Sequence, residues 1–160
     1  LIIDYVFLTH GHYDHILGLD LIVEHFPDIK IVMSKDEKMC LTDINENLSF
    51  YTEKPYTYEG EVLTFDDINL DDFGVRIEYI TGHSKASAVF VFEEDKEVFS
   101  GDTLFARSIG RSDLYHGNME KLKAGIVKYL FTLDDDTIVY PGHGAKTKIG
   151  IEKKKNPFFK

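Results

Sequence analysis

Thr9-His10-Gly11-His12-Tyr13-Asp14-His15 decides how this chain is read. Three imidazoles and a carboxylate fall within six residues. A histidine met alone is usually structural or simply solvated. Four such side chains in one turn are different, because crowding them costs solvation and invites repulsion unless a cation organises them. Neutral imidazole and carboxylate are good ligands for zinc, iron or manganese, so the stretch predicts a metal site. Gly11 is expected to let the backbone turn sharply between the flanking histidines.

Upstream, the apolar run from Leu1 to Leu8 reads as a strand buried on both faces. Downstream, Ile16, Leu17, Leu19, Ile22, Val23 and Phe26 recur at helical spacing until Pro27. A strand is expected over 29–33. Ser34 and Glu37 then read as a capping box opening a helix over 35–41. Residues 43–60 are polar and Tyr-rich and read as a loop or lid with little regular structure. Strands are predicted over 61–65, 75–80, 88–92 and 97–100, the last two joined by a tight turn at Glu94-Asp95-Lys96. Residues 101–113 read as a loop. Asn118 is placed to cap a helix over 119–131 that shows Leu122, Ile126, Tyr129 and Leu130 on one face. After a turn at 134–136, a last strand over 137–140 stops at Pro141-Gly142-His143-Gly144. Hairpins mixed with βα units predict two sheets with helices outside them.

Three more candidate ligands stand beside glycine at the ends of apolar runs: His83, Asp102 and His143. Loops at strand ends on a rigid sheet are where reactive groups tend to sit. With His10, His12, Asp14 and His15 they make seven. That is too many for one tetrahedral zinc and enough for two metals sharing a bridge. Cys40 is remote from these motifs in sequence and reads as a small core residue. His25 sits late in a helix, where a cation suits the dipole. His116, in the loop after Arg111, is a further candidate for the site. The Lys153–Lys155 run reads as a solvated tail.

His-x-His-x-Asp-His, then Gly82-His83, then Gly101-Asp102-Thr103, then Pro141-Gly142-His143-Gly144 resembles the metallo-β-lactamase superfamily. Phe99-Ser100-Gly101-Asp102-Thr103-Leu104-Phe105, Ile109-Gly110-Arg111-Ser112-Asp113, and Thr147-x-Ile149-Gly150-x-Glu152 with Asn156-Pro157-Phe158 are similar to the glyoxalase II-like hydrolases. The likeness is to the short form without the helical C-terminal domain. The resemblance implies an α+β fold, an αββα sandwich, with residues 1–160 as a single domain. It implies His10, His12 and His83 at one metal, Asp14, His15 and His143 at the other, and Asp102 bridging the two. Asp14 and Asp102 are then the catalytic carboxylates. Two divalent ions are implied, zinc first, with iron and manganese as alternatives. The implied reaction is attack of a metal-bridging hydroxide on the carbonyl of a thioester or ester. Arg111 matches a basic position near the substrate and would hold a carboxylate; an ion pair with Asp113 is the structural alternative. The rival readings are an iron-dependent persulfide dioxygenase on the same fold, a lactonase, and a non-enzymatic metal-binding remnant.

The sequence departs from the family in two places. The family's opening strands precede the first histidine motif, and here the motif follows one strand. The expected fold is therefore N-terminally incomplete, with an open sheet edge prone to self-association. The family's Gly-His-Thr-Pro-Gly-Ser is Gly82-His83-Ser84-Lys85-Ala86-Ser87 here, which removes a Pro-Gly turn and brings in a cation.

The chain's 160 residues are 43% hydrophobic and 29% charged, with 12 Phe and 9 Tyr, enough for a real core. Its 28 acidic and 18 basic residues give a net charge of −10, which disfavours nucleic acid and an anionic membrane as partners. A small-molecule thioester or ester is the partner expected. One cysteine allows no intrachain disulfide, and a cytoplasmic setting is expected.

Overall fold

The apolar run ahead of the histidines forms strand β1 (Tyr5–Phe7). The computed structural model describes residues 2–160. Of the strand expected over 1–8, Leu1 lies outside the described residues, Ile2 is exposed, and β1 itself is half-buried. The expectation of burial on both faces therefore fails. Among the described residues β1 pairs with one neighbour, so one side of its ladder lacks a strand to cover it.

The chain divides into two compact units, one ending at Asn69 and the other Leu70–Lys160. In the first, β1 pairs in parallel with β2 (Lys30–Met33), and β2 in parallel with β3 (Leu63–Thr64). Parallel strands need a crossover. Helices α1 (Tyr13–Ile16) and α2 (Leu19–His25) supply the first, separated by a break at Leu17-Gly18. Leu8, Ile16, Leu19, Ile31, Met33 and Leu41 form this unit's core with Tyr58 and Val62.

Residues Lys35–Leu41 form the expected helix, wound as a 3-10 helix. The expected capping box fails, because Ser34 caps nothing with its side chain and Glu37 is fully buried. The segment 43–60 is no loose lid. Asn47 is buried, and its amide donates to the carbonyls of Cys40 (2.8 Å) and Tyr56 (2.9 Å) while its oxygen accepts the Ser49 N–H (2.8 Å).

The second unit holds a five-stranded sheet in the order β10, β9, β6, β5, β4. Its strands are β4 (Arg76–Ile80), β5 (Ser87–Phe92), β6 (Glu97–Gly101), β9 (Ile138–Pro141) and β10 (Thr147–Lys148). Only β6 and β9 run parallel. Within the segment expected to be a loop, β7 (Leu104–Phe105) and β8 (Ser108–Ile109) form a small hairpin. Alternate residues Val89, Val91, Val98 and Val139 face a core shared with Leu122, Ile126 and Leu130. Those three lie on helix α3 (Met119–Gly125) and the π-helical turn Ile126–Leu130 that continues it. Asn118 caps α3 as expected, accepting the Lys121 N–H at 2.9 Å. The run expected to be a tail is helix α4 (Ile149–Lys155), with Lys153 and Lys154 both paired to Asp135.

Candidate metal centre

Each unit carries its own cluster of ligand-type side chains. In the first, β1 ends and the chain turns through His10-Gly11-His12 into α1. His10 and His12 are buried, with ring centroids 4.6 Å apart, and His15 lies 4.1 Å from His10 on the same measure. Asp14 is exposed, and its Oδ2 stands 3.6 Å from His15 Nε2.

The Gly11 backbone does not sit in the left-handed region, so the expected reason for this glycine is wrong. The need is close packing: a Cβ there would stand 2.2 Å from the Cβ of Cys40. Cys40, a buried core residue as expected, thus lies directly beneath the histidine turn although it is remote from it in sequence. Its buried thiol donates toward Glu37 Oε2 (3.6 Å). Burial, and then the Glu37 charge, hold its pKa far above the ordinary thiol value. The same Glu37 oxygen accepts the Gly11 N–H at 3.1 Å. The far end of the turn is held by Tyr13 N–H donating to the Asn47 carbonyl at 2.8 Å.

In the second unit, His83 follows β4, Asp102 follows β6 and His143 follows β9. One carboxylate oxygen, Asp102 Oδ2, lies 3.7 Å from His83 Nε2 and 3.5 Å from His143 Nε2. Two ligand atoms each about 2.1 Å from a shared tetrahedral ion sit about 3.4 Å apart, so this spacing fits ligands around metal. His83 and Asp102 are buried, whereas the His143 side chain is 57% exposed. His83 Nδ1 lies 2.9 Å from the Arg111 carbonyl. A carbonyl only accepts, so Nδ1 carries a proton, which makes Nε2 the ring nitrogen suited to a metal.

The turn holding His83 manages without Pro-Gly. Gly82 adopts a φ of +113°, and a Cβ there would meet the Asn118 carbonyl at 2.4 Å. The Asn118 N–H donates to the Gly82 carbonyl at 2.8 Å, tying the turn to the start of α3. Ser84 and Ser87 close it through a buried hydroxyl pair at 2.6 Å. Lys85 is exposed.

The Arg111 side chain makes a two-pronged contact with Asp113, both hydrogen bonds at 3.0 Å, and both side chains are 69% exposed. Its backbone carbonyl, which no sequence motif marked, is what reaches a ligand. His116 is exposed with its ring against Tyr115, and His25 bonds the Leu21 carbonyl of its own helix. Glu37, Asn47 and the serine pair also escaped the sequence reading. Ser34-x-x-Glu37 carries no mark that separates a cap from a buried brace.

The profile of the metallo-beta-lactamase superfamily matches residues 3–143. The hydroxyacylglutathione hydrolase GloC of Haemophilus influenzae is 35% identical over 161 residues, covering 94% of this chain and 73% of that protein. Among solved structures, the B3 metallo-beta-lactamase BLEG-1 superposes with a TM-score of 0.88 at 34% identity, over 98% of this chain and 77% of that one. TTHA1623 in a di-iron-bound form gives a TM-score of 0.84 at 31% identity, over 99% and 78%. These likenesses bear out the expected α+β fold class. No helix among the described residues is long and apolar enough to cross a membrane.

Proposed function

Because the chain belongs to the metallo-beta-lactamase superfamily, we propose that it is a binuclear metal hydrolase of thioesters, glyoxalase II-like in its chemistry. The observation that carries this reading is Asp102, one of whose oxygens lies near both His83 Nε2 (3.7 Å) and His143 Nε2 (3.5 Å). That is the disposition a bridging carboxylate needs. In this proposal His10, His12 and His83 serve one ion, Asp14, His15 and His143 the other, and Asp102 both.

When bound, a pair of divalent ions supplies Lewis acidity and a water-derived nucleophile at neutral pH. The protein's part is positioning. His83 is fixed in one tautomer by the Arg111 carbonyl, with its Nε2 lone pair aimed beside Asp102. Asp102, buried, brings a negative charge that would offset part of the charge of two cations. His143 and Asp14 are each exposed, so each is a ligand that an arriving substrate carbonyl could reach. The Phe105 ring, 6.4 Å from that of His143, offers an apolar wall there. A cytoplasmic setting belongs to the proposal, supported by the buried free thiol of Cys40.

GloC is named for a glutathione thioester, which makes that class the first substrate to try. The di-iron form of TTHA1623 supports iron as the alternative metal. Metal content by plasma mass spectrometry on protein purified without chelator comes first, followed by a panel of thioesters, esters and lactones. About two ions per chain with thioester cleavage is the expected result. One iron per chain with oxygen uptake would replace the hydrolase by a dioxygenase, and metal binding without turnover would replace it by a binding module.

A further inference from the structure

We infer that Glu37 is a positioning residue for metal binding, a buried carboxylate that sets the geometry of the His10–His12 turn. The inference rests on reading those two histidines as ligands. Glu37 is fully buried, yet it belongs to no ligand motif and caps no helix. Its Oε2 takes two hydrogen bonds at one point, from the Gly11 N–H at 3.1 Å and from the Cys40 thiol at 3.6 Å. The 3-10 winding of Lys35–Leu41 makes this alignment, because residues three apart eclipse one another and Glu37 stacks over Cys40.

The peptide N–H that Glu37 accepts joins the two histidines. Fixing its direction fixes the plane of the His10–Gly11 peptide, which removes one of the motions by which the two side chains could shift relative to each other. Gly11 has no lateral freedom either, since its Cα faces Cys40 with no room for a methyl group and 3.3 Å from the Glu37 carbonyl to any added Cβ. The turn is therefore clamped by one hydrogen bond and one steric wall, both supplied by the same short helix. An apolar side chain at position 37 would leave the buried Gly11 N–H without its acceptor, so the Tm of the variant reads the structural part of the bond and the metal affinity reads the rest. What the carboxylate adds is direction.

The test compares cobalt(II) and zinc affinity, by competition with a chromophoric chelator, for the wild type, Glu37→Leu, Glu37→Gln and Glu37→Asp. Far-UV circular dichroism and the Tm of each metal-free protein establish that it is folded. Leu removes the acceptor and is expected to weaken metal binding by about 10- to 100-fold, the range typical of groups that orient ligands. Asp keeps the charge but falls one carbon short of Gly11, and is expected to lose affinity likewise. Gln still presents an oxygen of the right reach, and is expected to bind within a few-fold of wild type with the same cobalt absorption spectrum. Where Leu does not fold, Asp carries the comparison. Wild-type affinity and an unchanged cobalt spectrum in both Leu and Asp, or in Asp alone, overturn the role of Glu37. A wild type that takes up neither metal overturns the ligand reading beneath it, and this inference with it.

Discussion

A Cβ at position 11 would lie 2.2 Å from the Cβ of Cys40, far inside any real contact distance. Residue 11 is therefore glycine for want of room, and Gly11→Ala should force the histidine turn away from the 3-10 helix. Overpacking of this kind costs about 1–3 kcal/mol. The expected outcome is a clear fall in the urea midpoint at unchanged m-value, together with loss of metal uptake. A variant with wild-type midpoint would show that the turn yields without cost.

Asp102 presents one oxygen to two histidines, so its loss should be felt at both. Asp102→Asn keeps the shape and removes the charge. We expect bound metal, measured by plasma mass spectrometry after dialysis, to fall well below that of His143→Ala. His143 is exposed and Asp102 buried, so the aspartate is the harder of the two for water to replace.

Cys40 gives a pH prediction with a definite sign. Burial and the neighbouring Glu37 raise its pKa above that of an unfolded chain, so the folded state holds its proton longer. The stability this contributes is complete below the unfolded thiol value of about 8.5 and is lost as pH rises beyond it, by about 1.4 kcal/mol per pH unit. Metal-free wild type should therefore lose urea stability steeply between about pH 9 and 10, and Cys40→Ala should flatten that limb. The same burial predicts that iodoacetamide labels Cys40 only on unfolding.

What the sequence made legible was local. The metal-type ligands announce themselves because four fall in one turn and the rest sit beside glycines at strand ends. Strands such as Arg76–Ile80 and Glu97–Gly101 follow from short apolar runs bounded by turn residues. What escaped depends on partners far along the chain. Glu37 meets Gly11 across 26 residues, and Glu152 meets Arg107 across 45. The Lys153–Lys155 run misled for a related reason. The charges of Lys153 and Lys154 are met by Asp135, and the helix behind them is fixed by the buried Ile149 and Glu152. No periodicity within the run itself records that.

Glu152 shows how a buried carboxylate behaves when it serves structure alone. It accepts the Arg107 N–H (2.9 Å), the Thr147 hydroxyl (2.6 Å) and the Asn156 amide (2.9 Å). Glu152→Leu leaves three donors without their acceptor and is expected to cost about 3 kcal/mol or more. Thermal unfolding followed by circular dichroism measures it. If that variant still folds, its metal affinity should match wild type, in contrast to Glu37→Leu.

Arg111 carries two roles that a pair of substitutions separates. Its guanidinium is taken up by Asp113 on the surface, and the hydrogen bonds it donates hold the Asp113 carboxyl below the ordinary carboxylate range. An exposed pair contributes little to stability, so neither Arg111→Ala nor Asp113→Asn should move the Tm. If Arg111 grips a substrate carboxylate, that substrate must first compete with Asp113. Arg111→Ala should then raise KM for a carboxylate-bearing thioester at unchanged kcat, while Asp113→Asn should lower it. The opposite signs matter, because a general disturbance of the loop would raise KM in both. His83 should be untouched in either variant, since it bonds the Arg111 backbone carbonyl and not the side chain. Equal KM in all three proteins would leave Arg111 as a surface partner of Asp113 whose service to the site is its carbonyl alone.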